Sequence, residues 1–267
     1  MRVRAPAVAG SFYPADPKEL RELVAHTLAG ATPPAEDEPA ARALIAPHAG
    51  YVYSGGVAAV AWLRAARLAD RIRRVVLLGP AHRAFLRGLA APRADAFSTP
   101  LGVVPIDRAS IDALIDLPQL SASDAPHAGE HCLEVQLPFL QCVLPAVPIV
   151  PLVVGDAGDD EVQEVIERLW EDAGTLTVIS SDLSHYHDYA TARRMDAASC
   201  RAIEALDPAR LGPESACGRV PVRGLLCAAR ALGLIARTLD LRNSGDTAGG
   251  RERVVGYGAW AFHPAPG

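Results

Sequence analysis

Aromatic residues make up only 5% of this 267-residue chain, although half of it is hydrophobic. Ala, Val and Leu must therefore fill most of a core, and a chain of this length is large enough to bury one. Positive charge is short as well: 26 Lys and Arg against 31 Asp and Glu give a formal net charge of -5. A general nucleic-acid binder needs a basic face to neutralise phosphates, so that class is excluded. No stretch approaches the roughly 18 consecutive apolar residues of a membrane span, so no membrane partner is expected. Arg2 and Arg4 are followed by Ser11-Phe12-Tyr13-Pro14 and by no apolar segment of signal-peptide length. The cysteines (Cys132, Cys142, Cys200, Cys217 and Cys227) are odd in number and show no CxxC spacing. That pattern argues against a disulfide framework or a zinc knuckle, and the chain reads as a soluble protein of the reducing cytoplasm. GxSxG, Walker A and a GxGxxG after a strand are all missing. Gly55-Gly56 and Gly249-Gly250 read as turns.

Short apolar runs alternate with longer helical stretches. Helices are expected over residues 20–28, 56–66, 162–170 and 190–206, with an apolar helical segment over 133–144 after Pro138. Strands are expected over 43–46, 75–78, 149–154, 175–179, 237–241 and 254–262. Residues 30–40 form a loop rich in Pro, Ala and acids, and 96–105 form a hairpin. Continuous buried strands separated by helices predict an α/β fold. It should be a three-layer sandwich, with a mostly parallel or mixed central sheet covered by helices on both faces. No long linker divides the chain, so residues 1–267 read as one domain.

The polar residues fall where such a fold binds ligands, just beyond the carboxyl ends of strands. Strand 43–46 runs into His48, strand 75–78 into His82, and strand 175–179 into Asp182 and His185. Strand 237–241 leads to Ser244-Gly245-Asp246. Parallel strands would bring these residues to one rim. Taken alone, each histidine reads as an ordinary loop residue, and Asp182 reads as a helix N-cap. Their shared position is what favours a site. Glu130 and Glu134 have i, i+4 spacing and suit either one helical face or a capped helix start. His127 reads as a surface-loop residue, and His26 and His263 are assigned no role. Two imidazoles and a carboxylate suit non-haem Fe(II) with open positions; the same ligands suit Zn²⁺.

Several segments together resemble the Memo family almost end to end. They are Ala9-Gly10-Ser11-Phe12-Tyr13-Pro14, Ala46-Pro47-His48-Ala49-Gly50-Tyr51, Leu78-Gly79-Pro80-Ala81-His82 and the run from Glu130 to Leu140. Ser180-Ser181-Asp182-Leu183-Ser184-His185, Cys217-Gly218 and Ser244-Gly245-Asp246 with Val255-Gly256-Tyr257 complete the set. Memo proteins are similar in fold to class III extradiol ring-cleaving dioxygenases. The resemblance implies metal ligation by His48 and His82, with His185 in the position of a catalytic base and Asp182 beside it. No cysteine follows Cys227, so Asp246 stands nearest to the place of a third ligand. Bacterial members are identified as AmmeMemoRadiSam system protein B, which implies radical-SAM system partner proteins.

Three readings follow. The first is an oxygenase on an aromatic or small organic substrate. In it a divalent metal, Fe(II) before Zn or Cu, is held by His48, His82 and Asp246, with His185 as base and His131 orienting the substrate. The second is a metal-handling or partner-binding scaffold whose cleft takes a small molecule or peptide, with Phe12, Tyr13 and Tyr51 as exposed anchors. The third, a zinc hydrolase, ranks lowest because no hydrolase motif accompanies the histidines.

Overall fold

A computed structural model describes residues 1–170 and 174–265. The elements in chain order are β1 (Val3–Arg4), α1 (Pro17–Gly30), β2 (Ala43–Ala46), α2 (Tyr51–Ala66), β3 (Arg74–Pro80) and β4 (Leu89–Ala91). Then come β5 (Ala96–Thr99), β6 (Gly102–Pro105), α3 (Arg108–Asp112), β7 (Leu120–Ala122), α4 (Ala125–Ala128), α5 (Leu137–Val143) and β8 (Ile149–Val154). The chain closes with α6 (Asp159–Trp170), β9 (Thr175–Ser180), β10 (His185–His187), α7 (Tyr189–Glu204), α8 (Arg219–Ala231), β11 (Leu234–Asn243) and β12 (Val254–Pro264).

The main sheet runs β10-β12-β2-β9-β3-β8-β4-β7, with β11 paired to β12. Its centre is parallel: β2 pairs β9, and β3 pairs both β9 and β8. Strands β10, β11 and β12 pair antiparallel, as does β4 with β8. Every residue of β2, β8 and β9 is buried. Successive side chains point to opposite faces, so both faces of this region are covered. One set of helices, α1, α2 and α5, packs together; α6 and α8 pack on each other and on β9. Pro151 is tolerated inside β8 because of which way it faces. Pro148 O bonds the β3 side while Ile149 O bonds Asp107, so by alternation Pro151 faces β4. Strand β4 meets β8 only at Val153 and Val154, so the missing N–H breaks no ladder bond.

Several expectations change. Helix α2 starts at Tyr51, and Gly55-Gly56 lie inside it rather than in a turn. A Cβ on Gly55 would lie in ordinary contact with Tyr51 Cβ at 3.4 Å and Thr27 Cγ2 at 3.8 Å, where α1 crosses. The hairpin over 96–105 forms as β5 and β6, but in a separate three-stranded sheet with β1. His127 is buried rather than on a surface loop, and Tyr13 and Tyr51 are core residues rather than exposed anchors. Asp182 does not cap a helix; Asp188 caps α7 by accepting from Thr191 N. Among the described residues no helix is long and apolar enough to cross a membrane.

Candidate metal centre

Strands β2, β3 and β9 run parallel, so their carboxyl ends share one rim. His48 follows β2, His82 follows β3, and Asp182 and His185 follow β9. His131 joins them from the segment between α4 and α5. Ring centroids lie 5.2 Å apart for His48 and His82, 5.3 Å for His48 and His131, and 4.7 Å for His82 and His131. One potential ligand nitrogen from each of the three lies within 4.8 Å of the others, a group able to hold a divalent metal. All three line a cavity of about 760 Å³, within the usual range for small-molecule sites.

The backs of these rings are tied down, and the ties set the tautomers. Ser180 Oγ donates its proton to Cys132 O at 2.6 Å and accepts from Gln136 Nε2 at 2.9 Å. Its remaining lone pair faces His48 Nδ1 at 3.0 Å, so Nδ1 carries the hydrogen and Nε2 the free lone pair. Gln136 is held in turn: it donates to Pro47 O and accepts from Trp62 Nε1 at 2.8 Å. Glu130 performs the same task for the other two. Its Oε1 accepts from His82 Nδ1 at 2.9 Å, and His131 Nδ1 lies 3.2 Å from that oxygen at ion-pair distance. For His82 the carboxylate draws the ring hydrogen to Nδ1 and leaves Nε2 basic, the pairing commonly found behind metal-ligating histidines. Glu130 also accepts from the backbone N–H groups of His82, His131 and Cys132.

Burial alone would raise the Glu130 carboxyl; the hydrogen bonds from His131 and His82 outweigh it and hold it well below the usual range. His48 is pushed well below the ordinary imidazole value, first by burial and then by its histidine neighbours, so it is neutral and ligation-ready. His185 donates Nδ1–H to Leu183 O at 2.8 Å, which turns a basic Nε2 outward; it lines the cavity but stands outside the three-histidine group. Asp182 accepts from His48 N at 2.7 Å and so holds the turn that carries His48. Burial raises its carboxyl.

Asp246 is placed elsewhere. Its Oδ2 accepts from Asn243 N at 3.0 Å, closing a capping box, and its Oδ1 accepts from the Tyr189 hydroxyl at 2.6 Å. It is exposed and does not line the cavity. A third nitrogen beside His48 and His82 comes instead from His131. Cys217 also reaches the site, with Sγ 3.3 Å from His48 Nε2. Burial pushes its thiol up.

Two glycines permit these approaches. A Cβ on Gly79 would sit 2.6 Å from Cys132 Sγ and 2.9 Å from Leu133 Cδ2, so a bare position lets the Glu130–Cys132 segment close onto β3. A Cβ on Gly218 would sit 2.6 Å from Ser181 Cβ, which explains how the Cys217 loop reaches β9. The N-terminal segment is clamped by Glu134, which accepts from Ala7 N, Val8 N, Tyr13 OH and Arg4 Nη1 at 2.6–2.9 Å. That clamp sets Phe12 against His131, with ring centroids 4.8 Å apart. Glu130 and Glu134 therefore do different work despite their spacing.

Comparison with known proteins gives the family of the chain. A family profile described as Memo-like protein matches residues 4–261. A MEMO1 family protein of Aquifex aeolicus is 36% identical, covering 96% of this chain and 98% of its own. Similar relatives occur in Methanopyrus kandleri (36% identical, 97% of this chain and 98% of that one) and Thermotoga maritima (33%, 95% and 97%). Among solved structures, an uncharacterized protein from Escherichia coli K12 covers 81% of this chain and 98% of its own at 14% identity, with a TM-score of 0.47. By profile and by full-length identity, the chain belongs to the Memo-like family.

Proposed function

We propose that this protein holds one divalent metal ion on His48, His82 and His131, with Fe(II) as the resident ion. We further propose that its cavity takes a small organic substrate for oxygenation. One observation carries the reading: three imidazoles meet with potential ligand nitrogens within 4.8 Å, each backed at Nδ1 by Ser180 or Glu130. Nitrogens sharing one ion stand roughly 3–3.5 Å apart, given the usual metal–nitrogen distances of about 2 Å, so the group needs only a small contraction. Neutral imidazoles also suit iron, zinc and copper alike; the similarity to extradiol dioxygenases favours iron.

Bound there, Fe(II) would supply the one-electron chemistry that lets O₂ react with a closed-shell organic molecule. The protein's own groups handle orientation and protons. His185 Nε2 faces the cavity as a lone pair able to take a hydroxyl proton from a bound catechol. Tyr257 also lines the cavity, and burial raises its phenol, so it stays protonated and can donate to an anionic oxygen. Phe12, packed on His131, shields one side from water. A catechol and O₂ together contain every atom of the ring-opened aldehyde acid, so no outside reductant is consumed. The reducing cytoplasm suits such an ion, and the five cysteines are free thiols.

A second reading, metal handling without turnover, draws on Cys217. A soft sulfur beside His48 Nε2 is the donor that selects Cu(I) or Zn²⁺. Oxygen uptake by anaerobically Fe(II)-loaded protein across a panel of catechols separates the two. Uptake matched by ring-opened product, and lost in His185→Ala, supports the oxygenase. Tight copper binding that depends on Cys217, with no uptake on any substrate, supports handling.

A further inference from the structure

The cavity that holds the histidines carries one unneutralised cation in its lining, on a protein that is acidic as a whole. Arg253 is the one Lys or Arg among the residues lining the cavity. It has no hydrogen-bond or ion-pair partner among the described residues. Its guanidinium sits over the ring of Tyr186, 5.2 Å from the centroid. The single carboxylate in the lining, Asp182, is buried and engaged by His48 N. Nothing inside the cavity therefore neutralises Arg253.

The platform beneath Arg253 is built at a cost. Tyr186 has φ +63°, a left-handed conformation unfavourable for an aromatic residue, and remains exposed. Strain of this kind persists where the surroundings demand it, commonly at functional sites. Outside the cavity lining, Arg251 lies 4.5 Å and Arg193 5.7 Å from the centroid of Tyr189. Asp246 pins that tyrosine through its hydroxyl. That second cluster, Asp246 included, lies outside the cavity lining, which leaves Arg253 as the cavity's own cation, on a chain whose formal net charge is -5. An unneutralised guanidinium in the lining attracts anions to that end of the cleft. Phe12, Tyr53, Tyr186 and Tyr257 supply aromatic surface along the same cavity.

We infer that Arg253 is the anion anchor of this cavity, so that its ligand is an organic acid: a flat molecule with a carboxylate held at Arg253 and metal-chelating oxygens directed at the three histidines. A guanidinium takes a carboxylate through two parallel hydrogen bonds, and the tyrosine beneath limits its swing. Arg253 is then a specificity-determining residue. This inference rests on the proposed metal centre for the other end of the ligand, and its test keeps the two apart.

The test is calorimetric titration of anaerobic Fe(II)-loaded protein with 3,4-dihydroxybenzoate and with catechol, using wild type, Arg253→Ala and Arg253→Lys. Metal content is measured on each sample. Arg253 is exposed, so the variants should fold, and thermal melts check that they do. The expected result is a preference for the carboxylate compound that falls about tenfold in Arg253→Ala and is partly kept in Arg253→Lys, the order of one charge-assisted pair. An unchanged preference in Arg253→Ala, or none in wild type, overturns the inference. If wild type holds no metal, the metal reading fails by itself. The anchor is then tested with benzoate on the metal-free chain: binding lost in Arg253→Ala supports it, and equal or absent binding overturns it.

Discussion

Glu130→Gln is the substitution that bears most sharply on how the histidines are held. It conserves size and removes one charge. The Glu130 carboxylate accepts four protein hydrogen bonds: His82 N at 2.6 Å on Oε2, and His82 Nδ1, His131 N and Cys132 N at 2.9–3.1 Å on Oε1. A glutamine amide offers only one accepting oxygen. Whichever way it flips, its NH₂ meets an N–H that it cannot accept. The side chain is buried, so one unsatisfied donor costs about 1–3 kcal/mol. For a chain of this size that corresponds to a fall in melting temperature of roughly 2–10 °C. The larger effect falls on the metal. An uncharged amide draws hydrogen to Nδ1 of His82 more weakly than the carboxylate does, and losing such a partner typically weakens metal binding about 10–100-fold. Chelator competition on wild type and variant measures the affinity, and melts of the metal-free proteins measure stability. A folded Glu130→Gln protein with wild-type metal affinity would refute the reasoning.

Three other outcomes follow from the same contacts. His127 has its pKa lowered to about 4 by burial, against 6.5 in the unfolded chain. The unfolded state therefore binds the proton more readily, and stability falls as pH drops from about 6.5 to 4, by up to about 3 kcal/mol; urea unfolding should show this slope flattened in His127→Leu. Glu134→Ala strands the nearly buried Arg4 guanidinium and frees the N-terminal segment, at a cost of about 3–5 kcal/mol seen in the same unfolding assay. Gln136→Leu leaves Trp62 Nε1 and Pro47 O unpaired in the interior. It should cost at least about 1–3 kcal/mol and weaken metal binding through His48, both checked by melts and chelator competition.

Much of this molecule was legible because one rule served both fold and site. The strands over 43–46 and 149–154 were readable to the residue, since strands covered on both faces are unbroken apolar runs. The run over 43–46 stops short of His48 and the run over 75–78 short of His82, so parallel strands put those residues on one rim. What escaped depends on contacts that sequence separation hides. Glu130 meets His82 across 48 residues, and Cys217 meets His48 across 169. The glycines that permit those approaches look like any others until a neighbour is placed against them. Asp246 misled for a local reason: Asn243 lies three residues before it, and a capping box consumes the carboxylate where a ligand was expected. A readable signal was present in that spacing. Arg253 carried none, because one exposed arginine in a chain of many is unremarkable until it is seen over Tyr186 at the mouth of the cavity.

The central claim, a metal ion held by three histidines, is tested most directly by metal content. Wild type, His48→Ala, His82→Ala, His131→Ala and Asp246→Ala would be purified without oxygen and reconstituted with Fe(II). About one ion per chain in wild type and in Asp246→Ala, with loss in each histidine variant, is the predicted result. A wild type that holds no metal after reconstitution, or histidine variants that keep theirs while Asp246→Ala loses it, would contradict the account.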